Sequence, residues 1–168
     1  IVLDKVAFIP RYNHDEFYRK TGKAGDIFNL KFKQIDINDI DLQTFLRDQV
    51  LWAGTMNVNN PDVQIYSNNA FKGIKTSKIG KDPHQALQKV ALDMKLNRLN
   101  IYKADISYSE ADATSGATGV IAFSNTNGYI TNVTNDPDAK RRNPFMTAHI
   151  KTTFMNVAPL QVNFKFNP

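Results

Sequence analysis

Three histidines are the residues of this chain best suited to chemistry near neutral pH: His14, His84 and His149. A histidine can serve as a general acid or base, and three that converge can hold a metal ion. However, His84 falls in the first turn of a predicted helix, and His149 alternates outward from Ala148 and Ile150 on a predicted strand. We therefore expect the histidines at the surface, with no shared metal site, no catalytic site and no cofactor.

Other catalytic patterns are missing from the sequence as well. Asp15 and Glu16 are adjacent, so their side chains diverge on a strand or lie about 100° apart on a helix, which does not suit paired-carboxylate catalysis. The chain has no cysteine, which excludes a disulfide, a thiolate nucleophile and a cysteine-based metal site. Neither a Gly-x-Ser-x-Gly motif nor a Gly-x-x-x-x-Gly-Lys-Ser/Thr phosphate loop occurs. We predict that the chain is not an enzyme.

Two basic segments are the clearest electrostatic feature. The chain carries 21 Lys and Arg against 16 Asp and Glu, a formal net charge of +5, which favours anionic partners. If the segments at residues 70–81 and 134–143 share one face, they could bind nucleic-acid phosphates; otherwise they are ordinary solvated loops. The residues of this hypothetical nucleic-acid site are Lys72, Lys75, Lys78, Lys81, Lys140, Arg141 and Arg142, with Tyr12, Phe17, Tyr18 and Phe145 as stacking aromatics.

The most distinct helix signal begins at Asp82. Its carboxylate can cap a helix, Pro83 suits the first helical position, and Gln85 can return a hydrogen bond to the cap residue. After residue 97 the apolar period changes to two, so residues 102–108 predict a strand. The apolar face of this predicted helix consists of Leu87, Val90, Ala91 and Met94.

A second helix is predicted over residues 38–54. Polar caps and carboxylates crowd its amino end at Asn38, Asp39 and Asp41, and Gly54 stands at its carboxyl end. The predicted core face consists of Leu42, Phe45, Leu46 and Val50.

Strands are predicted in the first part of the chain. Residues 1–9 are apolar and β-branched, and Pro10 ends them. A further strand begins at Asp26, and the change of apolar parity beyond Phe32 predicts a bulge, a twist or the end of the strand near Gln34.

Strands also dominate the second half of the sequence. Asn127-Gly128 between two apolar runs predicts a hairpin, because both residues tolerate positive φ. Residues 109–118 and 134–143 are predicted loops. Residues 146–154 and 160–166 alternate in polarity and predict a final β pair, whose last strand we expect to be integral to the core.

These signals together predict a single α+β domain over residues 1–168. We expect a mainly antiparallel β-sheet of six to eight strands, sandwich-like or single, with two amphipathic helices. A chain of 168 residues can bury a core without disulfides or metals. No apolar run approaches the roughly 20 residues of a membrane span. The chain begins at Ile1, so we expect a processed or trimmed start.

Three functional hypotheses remain open. The first is a structural or assembly subunit, such as a virion or phage component, which contacts copies of itself or other assembly subunits through sheet edges and polar loops. The second is a nucleic-acid-binding module that uses the basic loops 72–81 and 140–142. The third is a secreted binding or adhesion domain. Virion or cytoplasm is the favoured location, and secretion requires a targeting segment that has been removed.

Overall fold

One eight-stranded sheet dominates the residues that the structure describes. A computed structural model describes residues 1–69, 71, 74–75 and 93–166. The predicted α+β class with a mainly antiparallel sheet is confirmed, and the described strands form a single sheet with a small two-stranded parallel pair beside it. The elements, in chain order, are β1 (Val2–Phe8), α1 (His14–Thr21), β2 (Lys23–Ala24), β3 (Ile27–Asn38), α2 (Leu42–Asp48), β4 (Leu51–Asn59), β5 (Asp62–Asn68), β6 (Ile74–Lys75), β7 (Met94–Ala111), β8 (Thr118–Thr134), α3 (Pro137–Arg142), β9 (Met146–Phe154) and β10 (Ala158–Phe166).

The sheet is seven strands wide, because β4 and β5 are two halves of one interrupted strand. They follow each other along β7 in the same parallel register, with Asn59 beside Tyr102 and Asp62 beside Asp105. Both halves also pair antiparallel with β3 in one unbroken register. The strand order is β1, β3, β4 with β5, β7, β8, β9 and β10, so β1 and β10 form the two edges.

A line of irregular backbone crosses the sheet where β4 gives way to β5. Asn60 has a φ of 47°, and its neighbour in β7, Lys103, has a φ of 53°. The line continues to Lys5 in β1 and Asn125 in β8, with φ of 54° and 49°. Asn127 Oδ1 accepts a hydrogen bond from the Lys103 N–H at 3.0 Å. The irregularity predicted near Gln34 therefore exists, but the positive-φ residues lie in the neighbouring strands of β3.

A second irregular line lies closer to the beginning of β7. Asp39 and Asn132 have φ of 55° and 56°, and Gly54 lies against Asp39, where a Cβ atom would approach Asp39 Oδ2 to 2.6 Å. The ladder pairs are missing at this line in β4, β7 and β8. Each line reverses the side-chain parity of the strands that it crosses.

The irregular lines keep apolar side chains on one face of the sheet. Apolar residues in β7 are spaced by three at each line and by two between the lines. The result is a set of transverse apolar rows, each running from edge to edge. One row is Leu3, Ile35, Val58, Ile101, Gly128, Ile150 and Val162, and another is Phe8, Leu30, Val63, Ile106, Phe123, Phe154 and Ala158.

The buried core lies on this apolar face near the second irregular line. Its fully buried members come from four different strands: Ala53, Leu96, Val133 and Met146. Partly buried side chains pack around them from the same rows and from the strand ends. They are Ile37, Ile40, Met56, Leu99, Ile130 and Phe166.

The predicted helix over residues 38–54 is wrong in length and in packing. The helix α2 ends at Asp48, and Leu51 already begins β4. Asp41 caps it by accepting a hydrogen bond from the Thr44 N–H at 2.9 Å. Leu42, Phe45 and Leu46 are exposed, Leu46 by 80%. The helix occupies the short connection between β3 and β4 at the end of the sheet, where its apolar residues do not reach the core.

The Asp82 helix lies outside the described residues, apart from its last predicted positions. Met94, assigned from the sequence to the apolar face of that helix, is the first residue of β7. Strand β7 therefore begins eight residues before the predicted strand over residues 102–108. In this region the irregular line at Asn97 disturbs the alternation, because Leu96 and Leu99 share the apolar face although they are three residues apart.

The predicted hairpin at Asn127-Gly128 is wrong. Strand β8 continues through both residues from Thr118 to Thr134. The glycine is needed for close approach instead, because a Cβ atom on Gly128 would clash with the His149 carbonyl oxygen and lie 3.0 Å from Ile150 Cα. The hairpin forms earlier, at residues 112–117, where Asp112 Oδ1 accepts hydrogen bonds from the Thr114 and Ser115 N–H groups.

The predicted loops are shorter than expected. Residues 109–111 belong to β7, and residues 137–142 form α3, which Asp136 caps by accepting from the Ala139 N–H at 2.6 Å. Pro137 suits the first turn of this helix because it has no N–H to leave unpaired. None of the described helices is long and apolar enough to cross a membrane.

The final β pair is confirmed, but its last strand contributes to the core only in part, through Phe166. Strand β10 pairs only with β9 among the described strands and forms an edge. Leu160 and Phe164 remain 38% and 48% exposed. Residues 155–157 join β9 to β10. The Val157 N–H donates to the Phe154 carbonyl oxygen at 3.0 Å, and Met155 and Asn156 between them have φ of 52° and 58°, as in type I′ turns.

We predict that Gly128→Ala destabilises the sheet by about 1–3 kcal/mol, because the added methyl group would overlap the backbone of β9. Gly119→Ala is the matched control: it lies in the same strand and has no atom within 4 Å of the added Cβ. It should change the free energy of unfolding by no more than about 0.5 kcal/mol. Urea unfolding followed by circular dichroism measures both. Equal midpoints for the two variants would contradict the close approach of β8 and β9.

Candidate functional site

The basic triplet lies in a helix and is partly compensated by an acid of the same helix. Lys140, Arg141 and Arg142 form the last turn of α3. Arg141 makes an ion pair with Asp138, and the Arg142 Nε–H donates to the Asp138 carbonyl oxygen at 3.4 Å. Cations in the last turn also stabilise the helix through its dipole. This turn therefore has a structural role whether or not it binds an anion.

The described residues do not bring the two basic segments together. Of the four lysines of the first segment, only Lys75 has a described backbone position, in β6, which pairs with β2. Strand β2 lies just before Ile27, whose row reaches Ser109 in β7, whereas α3 follows Thr134, which pairs with Lys95. About 45 Å of extended strand separates these two levels of β7. Lys72, Lys78 and Lys81 lie outside the described residues.

The aromatic residues proposed for base stacking are not grouped. Tyr18 is only 1% exposed, so its face is not available to a base. Its ring lies 5.6 Å from that of Phe17 and 5.3 Å from that of Phe71. Phe145 instead contacts Lys165, whose Nζ lies 3.9 Å above the ring centroid. Tyr12 contacts Arg11 at 5.6 Å.

The two described histidines lie apart, each against an aromatic ring. His14 stacks on Tyr66 at 3.9 Å with an interplanar angle of 7°. His149 lies 4.8 Å from the Tyr129 ring, and its Nδ1 is 2.7 Å from Asn163 Oδ1. Their levels in the sheet differ by nine residues of β7, which is roughly 30 Å. His84 lies outside the described residues, and among those described no group of three metal-binding side chains is placed to hold an ion.

The polar face of the sheet is covered by side-chain amides that bond across strands. Asn59 Nδ2 donates to Asp36 at 3.2 Å, and Asn100 Nδ2 donates to Asn57 at 2.9 Å. Arg98 lies over the Tyr129 ring at 3.7 Å. These side chains satisfy one another's polar groups across neighbouring strands.

Edge strand β1 presents apolar side chains to solvent. Val2, Leu3 and Phe8 are 59%, 43% and 62% exposed, and Ile9 beyond the strand is also exposed. Among the described strands, β1 is hydrogen-bonded to β3 alone. The N–H and C=O groups of every second residue of β1 therefore point away from the sheet.

Edge strand β10 has the same character. It is bonded to β9 alone among the described strands, over nine residues from Ala158 to Phe166. Leu160 and Phe164 project apolar side chains on the same face as Ala148 and Thr152 of β9. Two long open edges, each with exposed apolar side chains, are therefore the surfaces of this sheet that are best prepared to contact another strand.

No protein-family model matches the chain, and its sequence has no significant match among curated proteins. The functional argument therefore depends on the geometry of the chain itself. In that geometry the sequence reasoning did not identify the β1 edge as a site, although five of the first nine residues, Ile1, Val2, Leu3, Val6 and Ile9, are aliphatic and β-branched or leucine. These residues predict a strand, but the sequence does not show that this strand lies at an edge of the sheet.

Burial of Tyr18 generates a prediction about alkaline pH. Burial raises the pKa of the Tyr18 phenol to about 12, and its O–H donates to the Gly25 carbonyl oxygen at 2.8 Å. The folded state therefore holds this proton more tightly than the unfolded state, whose tyrosines titrate near pH 10. The stability that this difference provides is complete below about pH 10 and is lost as pH rises towards about 12.

We expect Tyr18→Phe to lower the free energy of unfolding at pH 7 by about 0.5–1.5 kcal/mol through loss of the hydrogen bond. The deficit should shrink or reverse between about pH 10 and 12, because phenylalanine has no proton to lose. Tyr102→Phe is the control, since Tyr102 is exposed, and it should follow the parent protein at each pH. Denaturant unfolding at a series of pH values measures this. A constant deficit across the alkaline range would contradict the role assigned to the Tyr18 proton.

Proposed function

We propose that this chain is a non-enzymatic structural subunit that assembles with copies of itself through the edges of its sheet. The observation that carries the proposal is the pair of open edges, β1 and β10, each lined by exposed apolar side chains. An unpaired strand edge is a template for another strand, and its free N–H and C=O groups can extend the ladder.

The edges are only partly protected against pairing. Soluble proteins usually blunt an exposed edge with short strands, proline, lysine or bulges. Here Lys5 interrupts β1 with a positive φ, and β10 contains Pro159 and Lys165. These devices act at single positions, whereas Leu3, Phe8, Leu160 and Phe164 remain exposed between them. Such a pattern restricts which partner strand can pair with the edge, but it does not prevent pairing.

The nucleic-acid alternative has less support. It requires the two basic segments to share one face, and the described parts of those segments lie at different levels of the sheet. The third hypothesis, a secreted binding domain, depends on the asparagine-rich regions as a recognition surface. Many of the described asparagine side chains are instead engaged in hydrogen bonds within the polar face.

The test is the mass of the protein in solution, measured by analytical ultracentrifugation over a range of protein concentrations, at low and high salt, with and without single-stranded DNA. Assembly predicts species larger than one chain that grow with protein concentration and persist at high salt, because apolar contacts and backbone hydrogen bonds are weakly screened. Complexes that appear only with DNA and dissolve in salt would favour the nucleic-acid alternative instead.

Charged variants at the edges locate the contact. Leu3→Lys on β1 and Leu160→Lys on β10 should each shift the distribution towards the monomer, because each places a solvated cation in the paired edge. Leu46→Lys is the matched control: Leu46 is equally apolar and even more exposed, but it lies on α2, away from both edges. Circular dichroism confirms that all three variants fold. A parent protein that stays monomeric at every concentration, or a Leu46→Lys variant that dissociates as readily as the edge variants, would contradict the proposal.

A further inference from the structure

We propose that assembly is head to tail: strand β10 of one copy pairs antiparallel with β1 of the next, so that the sheet continues from copy to copy. This inference rests on the proposed function and specifies its partner and its geometry. The occupant of each edge is the opposite edge of a second copy of this chain.

The strand directions allow this arrangement without rotating the copies. Within the eight-stranded sheet, only β4 and β5 run parallel to their neighbour β7, and every other adjacent pair is antiparallel. Counting across the sheet, β1 therefore runs in the opposite direction to β10. If a second copy is displaced sideways, its β1 lies antiparallel to β10 of the first, and the apolar faces of both copies remain on the same side.

The transverse rows are also compatible at the junction. The row that begins at Leu3 ends at Val162, and the row that begins at Phe8 ends at Ala158. Each apolar row of one copy would therefore continue into the same row of the next. The polar row that begins at Val2 ends at Asn163, so the polar face continues in the same way.

The irregular line distinguishes the two edges. Strand β1 carries a positive-φ residue at Lys5, whereas no residue of β10 has positive φ. The same asymmetry already occurs inside the sheet, where β8 carries Asn125 with positive φ and pairs with β9 through a one-residue shift of register. A junction of β10 with β1 would reproduce the geometry of the β8 and β9 pair.

Pairing of β1 with another β1 is less favourable. Aligning the irregularities of two β1 strands places Lys5 directly opposite Lys5 of the other copy, and like charges opposite each other are destabilising. In the head-to-tail register, the residues of β10 near Lys5 are Leu160 and Gln161, which carry no charge. One heterologous contact of this kind covers both edges, and repeating it gives an open-ended ribbon.

Introduced cysteines can test the pairing directly, because the chain has none of its own. Leu3→Cys and Val162→Cys variants are mixed under assembling conditions and oxidised, and the products are separated on a non-reducing gel and identified by mass spectrometry. Head-to-tail pairing predicts that the main product is a dimer linking one variant to the other, with little product from either variant alone. A chain that carries both substitutions should give a ladder of linked copies.

The matched control is a cysteine on the opposite face of β1. Asp4→Cys lies next to Leu3 but on the polar face, so it should not link to Val162→Cys. Leu160→Cys and Phe164→Cys share the face of Val162, and a link from Leu3→Cys to either of them supports head-to-tail pairing with a register slipped by two residues.

The outcomes separate this inference from the proposed function. Links within Leu3→Cys alone or within Val162→Cys alone show pairing of like edges, which overturns the head-to-tail arrangement but leaves assembly through edges intact. Large species in the ultracentrifuge without any of these links also overturn it. A parent protein that remains monomeric removes both the inference and the proposed function.

Discussion

The fold depends on a single hydrogen-bonded register that runs unbroken from β3 through β4 and β5 to β7. Because β4 and β5 keep the same offset against both neighbours, the break at Asn60-Pro61 removes two ladder positions and leaves the register on its two sides unchanged. Pro61 has no N–H to contribute to a ladder, and the Asn60 N–H donates to Tyr102 O at 2.8 Å while the Asp105 N–H donates to Pro61 O at 2.8 Å. The Asn60 N–H and the Pro61 carbonyl at the interruption are therefore hydrogen-bonded to β7, and the long strands β3 and β7 hold β4 and β5 in line.

Residues with positive φ have an energetic cost that the sheet accepts at aligned positions. For a residue other than glycine, the left-handed region costs roughly 1–2 kcal/mol. Lys5, Asn60, Lys103 and Asn125 accept that cost in four different strands at one level of the sheet. If only one strand had such a residue, its side chains beyond that point would move to the wrong face. Because the irregularities are aligned, the apolar rows stay together on both sides of the line.

The same lines explain which parts of the fold could be predicted from the sequence. Strands without an internal irregularity, such as β9 and β10, alternate strictly, and the sequence predicts them as a pair. Local residues also define α1, because Asn13 caps its start and Gly22 ends it with a φ of 65°. Strand β7 is harder to predict, because a spacing of two, then three, between apolar residues resembles part of a helical period as much as a strand. For that reason Met94 was assigned to a helix.

Asn127-Gly128 shows why a local sequence signal can fail. The dipeptide is typical of a two-residue hairpin because asparagine and glycine tolerate positive φ. Here the asparagine side chain instead bonds to the backbone of the neighbouring strand, and the glycine is required because the backbone of β9 leaves no space for a Cβ atom. Both requirements are set by residues 21 to 24 positions away in the sequence, so a local sequence pattern does not contain them. For the same reason the sequence does not show which strands are edges. Whether a strand lies at an edge depends on its neighbours in the folded sheet.

The sheet has one apolar face and one polar face, and the chain itself leaves part of its apolar surface exposed. The fully buried apolar cluster lies near one irregular line, whereas the row from Phe8 to Phe154 beyond the other line retains exposed aromatic rings at its ends. Apolar side chains in β1 and near the β9–β10 turn, where the rows terminate, are exposed because a terminal side chain has a neighbour on one side only. Adding a strand at an edge gives the terminal residue of every row its missing neighbour and pairs the free backbone groups in the same step. The backbone and the side chains of this sheet therefore favour the same kind of partner: another strand with matching rows.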